Sequence, residues 1–191
     1  MGEVGKGLKH LFAGLKPERI CAAAIDDGIA RYAIEKGAGY VGDRTVWGMP
    51  IGAHQGVSHP LTEAYVGVHQ ARLMTAQAAQ LVDEGAREAA EASNTAKFAA
   101  ADASLKALDQ AIQVHGGNGL ALEYALADLW FIARLHKTAP VSQEMVLNYF
   151  AQHSLGLPKS YRRPRLGGAT PWRPSLASSV ATPRSAGRRP P

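Results

Sequence analysis

The chain has 191 residues, 46% hydrophobic and 19% charged, with 20 glycines, 11 prolines and one cysteine, Cys21. That length suits one domain with a sizeable core, and a lone cysteine excludes an intramolecular disulfide framework and a Cys-rich zinc site. The net charge of +5 is unevenly placed: residues 159–191 hold eight basic groups and no acid, which leaves residues 1–158 at −3 (13 basic, 16 acidic).

The opening MGEVGKGLKHLFAGLKPER lacks the apolar centre of a signal peptide. Lys6 stands where a myristoylation pattern needs Ser or Thr. No run of about 18 apolar residues is present, so no membrane span is predicted, and a cytoplasmic location is the expectation. The first helix is predicted to open at Pro17, a residue favoured at the first helical position, with Ile25, Ile29 and Tyr32 on its buried face. It breaks at Gly42, and RTVWGMPIG reads as loop. A second helix is predicted over 54–84, with Leu61, Tyr65, Val68, Leu73 and Leu81 apolar and Pro60 marking a kink or a late start. A third over 88–115 carries Phe98, Leu105, Leu108 and Ile112, and Gly116-Gly117-Asn118-Gly119 stops it. A fourth over 121–137 and a short fifth over 142–153 follow. No βαβ pattern or internal repeat is seen.

Four amphipathic helices with short connections predict an all-α fold, an antiparallel four-helix bundle with a short fifth helix. The domain reading is a lead-in over 1–14, the bundle over 15–157 and a disordered basic tail over 158–191. Residues 159–191 of that tail hold six of the 11 prolines and too little apolar surface to offset their ordering entropy. Nucleic acid is not the predicted partner, since basic composition without a reader motif is poor evidence. His54 and His59 fit one helix face poorly, so no metal site is assigned.

Three segments are more specific than a generic bundle requires. They are Leu15-Lys16-Pro17-Glu18-Arg19; Arg44-Thr45-Val46-Trp47-Gly48-Met49-Pro50-Ile51-Gly52-Ala53-His54-Gln55; and Gln113-Val114-His115-Gly116-Gly117-Asn118-Gly119 followed by Glu123-Tyr124. In this order and spacing, residues 15–157 resemble the C-terminal helical domain of the acyl-CoA dehydrogenase family. The resemblance implies a flavoenzyme of about twice this length, with FAD between a β middle domain and the bundle and a second subunit's bundle closing over the pyrophosphate and adenosine. A homodimer or homotetramer follows. It also implies α,β-dehydrogenation of an acyl-CoA substrate, with a glutamate taking the α-proton, a hydride passing to the flavin, and electron-transfer flavoprotein as electron acceptor.

Carried over by position, Arg44 contacts the FAD diphosphate and Trp47 stands beside the cofactor. Ile51, His54 and Gln55 complete an adenosine-side surface. Gln113 and Gly117 contact FAD from the partner subunit, and Ser142 lies near the adenine-side ribose and phosphate. The family's familiar base position, in a Tyr-Glu-Gly-Thr stretch, is Ala139-Pro140-Val141-Ser142 here, and a proline accepts no proton. Glu144 lies four residues on and is expected to face elsewhere. Other branches carry the base on the first bundle helix, where Glu18 falls, with Arg19 a contact for the CoA portion.

Because Met1 precedes that helix by few residues, the chain is expected to be a fragment with little activity by itself. An acyl-CoA oxidase is a nearby variant. A non-catalytic helical interaction module retaining a remnant flavin motif is the alternative.

Overall fold

The structure, a computed structural model, describes residues 2–159. Five helices dominate: α1 (Gly7–Asp43), α2 (Gln55–Asp83), α3 (Ala89–His115), α4 (Leu126–His136) and α5 (Gln143–Tyr149). The all-α bundle is as the sequence predicts, with α3 packed against α1, α2 and α4. Residues up to Val146 form one compact unit. Beyond it, α5 runs into a single π turn, Phe150–Ser154. The predicted disordered tail lies, from residue 160 onward, outside the described residues.

The core is built mainly from alanine. Ala23, Ala30 and Ala33 of α1, Ala64, Ala71 and Ala78 of α2, and Ala96, Ala100, Ala107 and Ala111 of α3 are all buried. Small side chains bring helix axes to the short end of the usual 8–10 Å separation. Larger residues fill the spaces between them, with Leu108 and Leu126 fully enclosed. Predictions from large apolar residues were therefore only partly right. Ile29, Leu61, Val68, Leu105 and Leu108 are buried, whereas Ile25, Tyr65 and Leu73 face outward.

Several boundaries also differ. Helix α1 begins at Gly7 and carries Pro17 in its interior. Proline removes one helical donor, yet α1 continues through Pro17 without a break. Pro60 likewise lies inside α2, in the second turn. The segment predicted as loop forms a small antiparallel hairpin, β1 (Thr45–Val46) and β2 (Met49–Pro50). Its central residues, Trp47 (φ 54°) and Gly48 (φ 80°), have the two positive φ values of a type I′ turn.

The predicted fourth helix starts late. Two 3₁₀ turns, Gly116–Leu120 and Leu122–Tyr124, precede it, and Ala125 adopts a left-handed conformation (φ 55°). Tyr124 is held by its neighbours: Tyr32 Oη donates to its carbonyl at 3.2 Å, and its ring meets Tyr40 and His115 edge-on.

Candidate functional site

The predicted site residues fall into two groups set far apart along α1, Glu18 and Arg19 in its first half and the others at its C-terminal end, with Ser142 on the connection before α5. Arg19 and Arg44 are 25 residues apart, and with Arg44 capping the unbroken helix this puts them about 38 Å apart along its axis.

At the C-terminal end of α1, the hairpin and the glycine loop meet. Arg44 caps α1, its amide donating to Tyr40 at 2.9 Å and its carbonyl accepting from Ile51 at 2.8 Å. Its guanidinium is left exposed. Tyr40 reaches the glycine loop: its ring stacks on His115 at 4.1 Å, and its hydroxyl accepts from Asn118 Nδ2 at 3.2 Å. Sequence reasoning missed this stack, although His115 and Tyr124 belong to the quoted third segment and Tyr40 lies four residues before Arg44.

Trp47 is 87% exposed at the hairpin tip while its backbone is left-handed. Such a conformation costs a non-glycine residue about 1–2 kcal/mol. Its indole meets the His54 ring edge-on at 5.9 Å, and His54 Nε2 is buried without a hydrogen-bond partner. Ile51 is half-buried and packs against the main core. Gln55 opens α2 and is exposed, as is Gln113 near the end of α3.

The glycines of the loop have different reasons to be glycine. Gly116 has φ 60°, and a Cβ on Gly119 would lie 2.6 Å from the Ile112 carbonyl oxygen, so the fold itself demands both. A Cβ on Gly117 would meet nothing within 4 Å. No packing within the chain explains that residue.

The other end is built from buried charge. Glu18 is exposed on α1, and the next side chain, Arg19, is buried (8% exposed). About two turns further along, the adjacent Asp26 and Asp27 are buried as well. Asp26 Oδ1 lies 2.8 Å from His136 Nδ1. Burial raises the Asp26 carboxyl above its ordinary range, against the lowering effects of His136, Ser104 and Lys97. Burial likewise raises Asp27, opposed by Thr75 and Arg72 on α2.

Lys97 of α3 is 1% exposed, and its ammonium donates to the Val141 carbonyl. Burial pushes it down, while Asp26 and Glu144 pull it up and Arg19 pushes it down further. Lys97 therefore feels both Arg19, next to Glu18, and the segment containing Pro140. Lys97 thus ties the helix that carries Glu18 to the connection that carries Pro140.

Ser142 caps α5, its hydroxyl accepting from the Met145 amide at 3.4 Å. Glu144 is exposed, and hydrogen bonds from its own amide and Ser142 hold its carboxyl below the usual range. A carboxylate held in its charged form in solvent is a weak base.

Among the described residues, no group of three or more His, Cys, Asp and Glu side chains is arranged to hold a metal ion, and no helix is long and apolar enough to cross a membrane.

Residues 5–155 match the family model described as "Acyl-CoA dehydrogenase, C-terminal domain". The chain belongs to the acyl-CoA dehydrogenase family. It is 53% identical over 162 residues to acyl-CoA dehydrogenase fadE12 of Mycobacterium bovis, covering 84% of this chain and 42% of that protein. It is 32% identical over 145 residues to mitochondrial isovaleryl-CoA dehydrogenase of Oryza sativa, covering 76% and 35%. Among solved structures, butyryl-CoA dehydrogenase of Megasphaera elsdenii superposes with a TM-score of 0.73 at 29% identity, over 76% of this chain and 38% of that one. The chain thus spans less than half the length of these acyl-CoA dehydrogenases and corresponds to the C-terminal helical domain of an oxidoreductase family.

Proposed function

We propose that this chain is the bundle of an FAD-dependent acyl-CoA dehydrogenase and serves two sites, one at each end of α1. The observation that carries this reading is the 38 Å separation of the candidates. It favours an assembly in which the hairpin and glycine loop of one protomer complete the cofactor site of another, as in a homodimer or homotetramer.

The first surface fits a dinucleotide. Arg44 offers a permanently charged fork to the diphosphate. The open face at Gly117 admits a phosphate against the backbone. Trp47 offers an exposed ring, with Ile51, His54, Gln55 and Gln113 as further contacts, while Ser142, next to the Val141 carbonyl that Lys97 holds, belongs with the second site. FAD, when bound, supplies the acceptor for the hydride.

At the other end, Glu18 takes the α-proton of the acyl-CoA thioester and Arg19 neutralises part of the CoA. An acyl chain covering Glu18 would exclude water from the proton transfer. Electron-transfer flavoprotein is the proposed electron acceptor, and the cytoplasm the proposed location. A single chain would have little activity.

The test joins this chain to the N-terminal portion of the fadE12 relative that it does not cover, and measures acyl-CoA dehydrogenation with FAD. Activity in the joined protein, falling by at least about 10²-fold in Glu18→Gln, supports the reading. A loss of less than about tenfold removes Glu18 from the mechanism. No activity, together with no flavin binding, favours the helical interaction module instead.

A further inference from the structure

The connection between α4 and α5, Lys137–Ser142, carries Pro140 at one of the family's two base positions, and polar groups hold it along its length. Asp102 of α3 takes an ion pair from Lys137 and a 2.8 Å hydrogen bond from Gln143 Nε2. The Gln143 amide donates back to the Lys137 carbonyl at 3.1 Å. His136, just before the connection, meets Asp26 of α1. At the centre, Lys97 reaches the Val141 carbonyl.

These anchors are not equivalent. Lys137 and Asp102 are partly exposed, as the side chains of many surface pairs are, and such pairs contribute little. Lys97 is enclosed, and removing an ammonium from water is costly unless its donors are used. A methionine there would fill similar space without that cost. What the ammonium adds is a donor for Val141 and a countercharge for Asp26. Asp26, in turn, holds His136 at the end of α4. One buried cation thereby links α1, α3 and the connection.

We propose that Lys97 is a positioning residue: its buried ammonium, braced by Asp26 and His136, fixes the Ala139–Ser142 segment beside the start of α1, so that Pro140 forms a rigid wall next to Glu18 and Arg19. The role assigned to the wall rests on the function proposed above, whereas the fixing of the segment does not. The groups facing Lys97 are Arg19 and Asp26 from α1, Asp102 from its own helix and Glu144 from α5, with His136 reached through Asp26.

The experiment compares the full chain with Lys97→Met by amide hydrogen exchange and by the ¹³C shift of the Val141 carbonyl across alkaline pH, without any ligand. In the parent chain the Val141 shift should follow one transition at a lower pH than the exposed lysines, because burial lowers Lys97. In Lys97→Met that transition should vanish. Exchange should then rise at least about tenfold over Thr138–Ser142, while amides in the middle of α2 keep their protection. Unchanged exchange, a rise spread evenly over the bundle, or a Val141 shift that ignores pH would overturn the inference. If Lys97→Met does not fold, the parent chain's Val141 titration and Asp26→Asn decide. The latter removes the brace and should loosen the same segment. If the chain passes these tests but the joined protein neither dehydrogenates acyl-CoA nor binds flavin, the proposed function falls and the clamp stands.

Discussion

The two ends of α1 are built on opposite principles. The hairpin and glycine loop present exposed groups on a backbone bent into unusual shapes. The Arg19–Lys97 end hides its charges inside an alanine-packed core. Under the function proposed above, specificity for a ligand is written differently in the two cases. At the first end it lies in space left open, as at Gly117, and in conformational strain, as at Trp47. At the second it lies in buried ions that only their mutual arrangement makes tolerable.

The largest expected effect separates the glycines. Gly119→Ala pushes a methyl group against the Ile112 backbone and should destabilise the chain by about 3 kcal/mol, lowering Tm by roughly 6–12 °C in a thermal melt. Gly117→Ala should leave Tm within about 2 °C and instead weaken flavin binding, because its Cβ points into open space. Equal losses of stability would erase the distinction between a glycine the fold needs and one a ligand needs.

A smaller effect concerns the buried end. Burial raises the Asp26 carboxyl, so the folded chain holds that proton at pH values where the unfolded chain has released it. This group's contribution is most favourable below the unfolded value and declines as pH rises through the folded value. Asp26→Asn removes that dependence. Its stability relative to the parent, measured by urea unfolding, should therefore improve steadily from the unfolded carboxylate range upward and then level off. A difference independent of pH would mean that Asp26 is not strained by its burial.

The smallest effect is at the hairpin tip. Trp47→Gly relieves a left-handed tryptophan but adds freedom to the unfolded chain, so stability should change by less than about 1 kcal/mol. A large loss would show that the indole supports the fold.

Much of this architecture was legible in the sequence. The helix stops at Gly42 and Gly116–Gly119 and the bundle follow from glycine placement, and the family from motif spacing. The register of the buried faces was less so, because large apolar residues were followed where alanine forms the core, and Ile25 and Leu73 misled. The hairpin was missed because tryptophan rarely adopts positive φ. The buried ions were missed too, although Lys97, Ser104, Leu108 and Ala111 repeat at helical spacing on one face of α3, and a lysine in that register signals a buried charge.

The most direct measurement is a two-dimensional amide NMR titration of the full chain with FAD. The two-ended account requires shifts at Arg44–Gln55 and Gln113–Gly117, with none at Glu18, Lys97 or Val141 in the same protomer's bundle. Shifts centred on Glu18 and Lys97, or none at the hairpin and glycine loop, would contradict it.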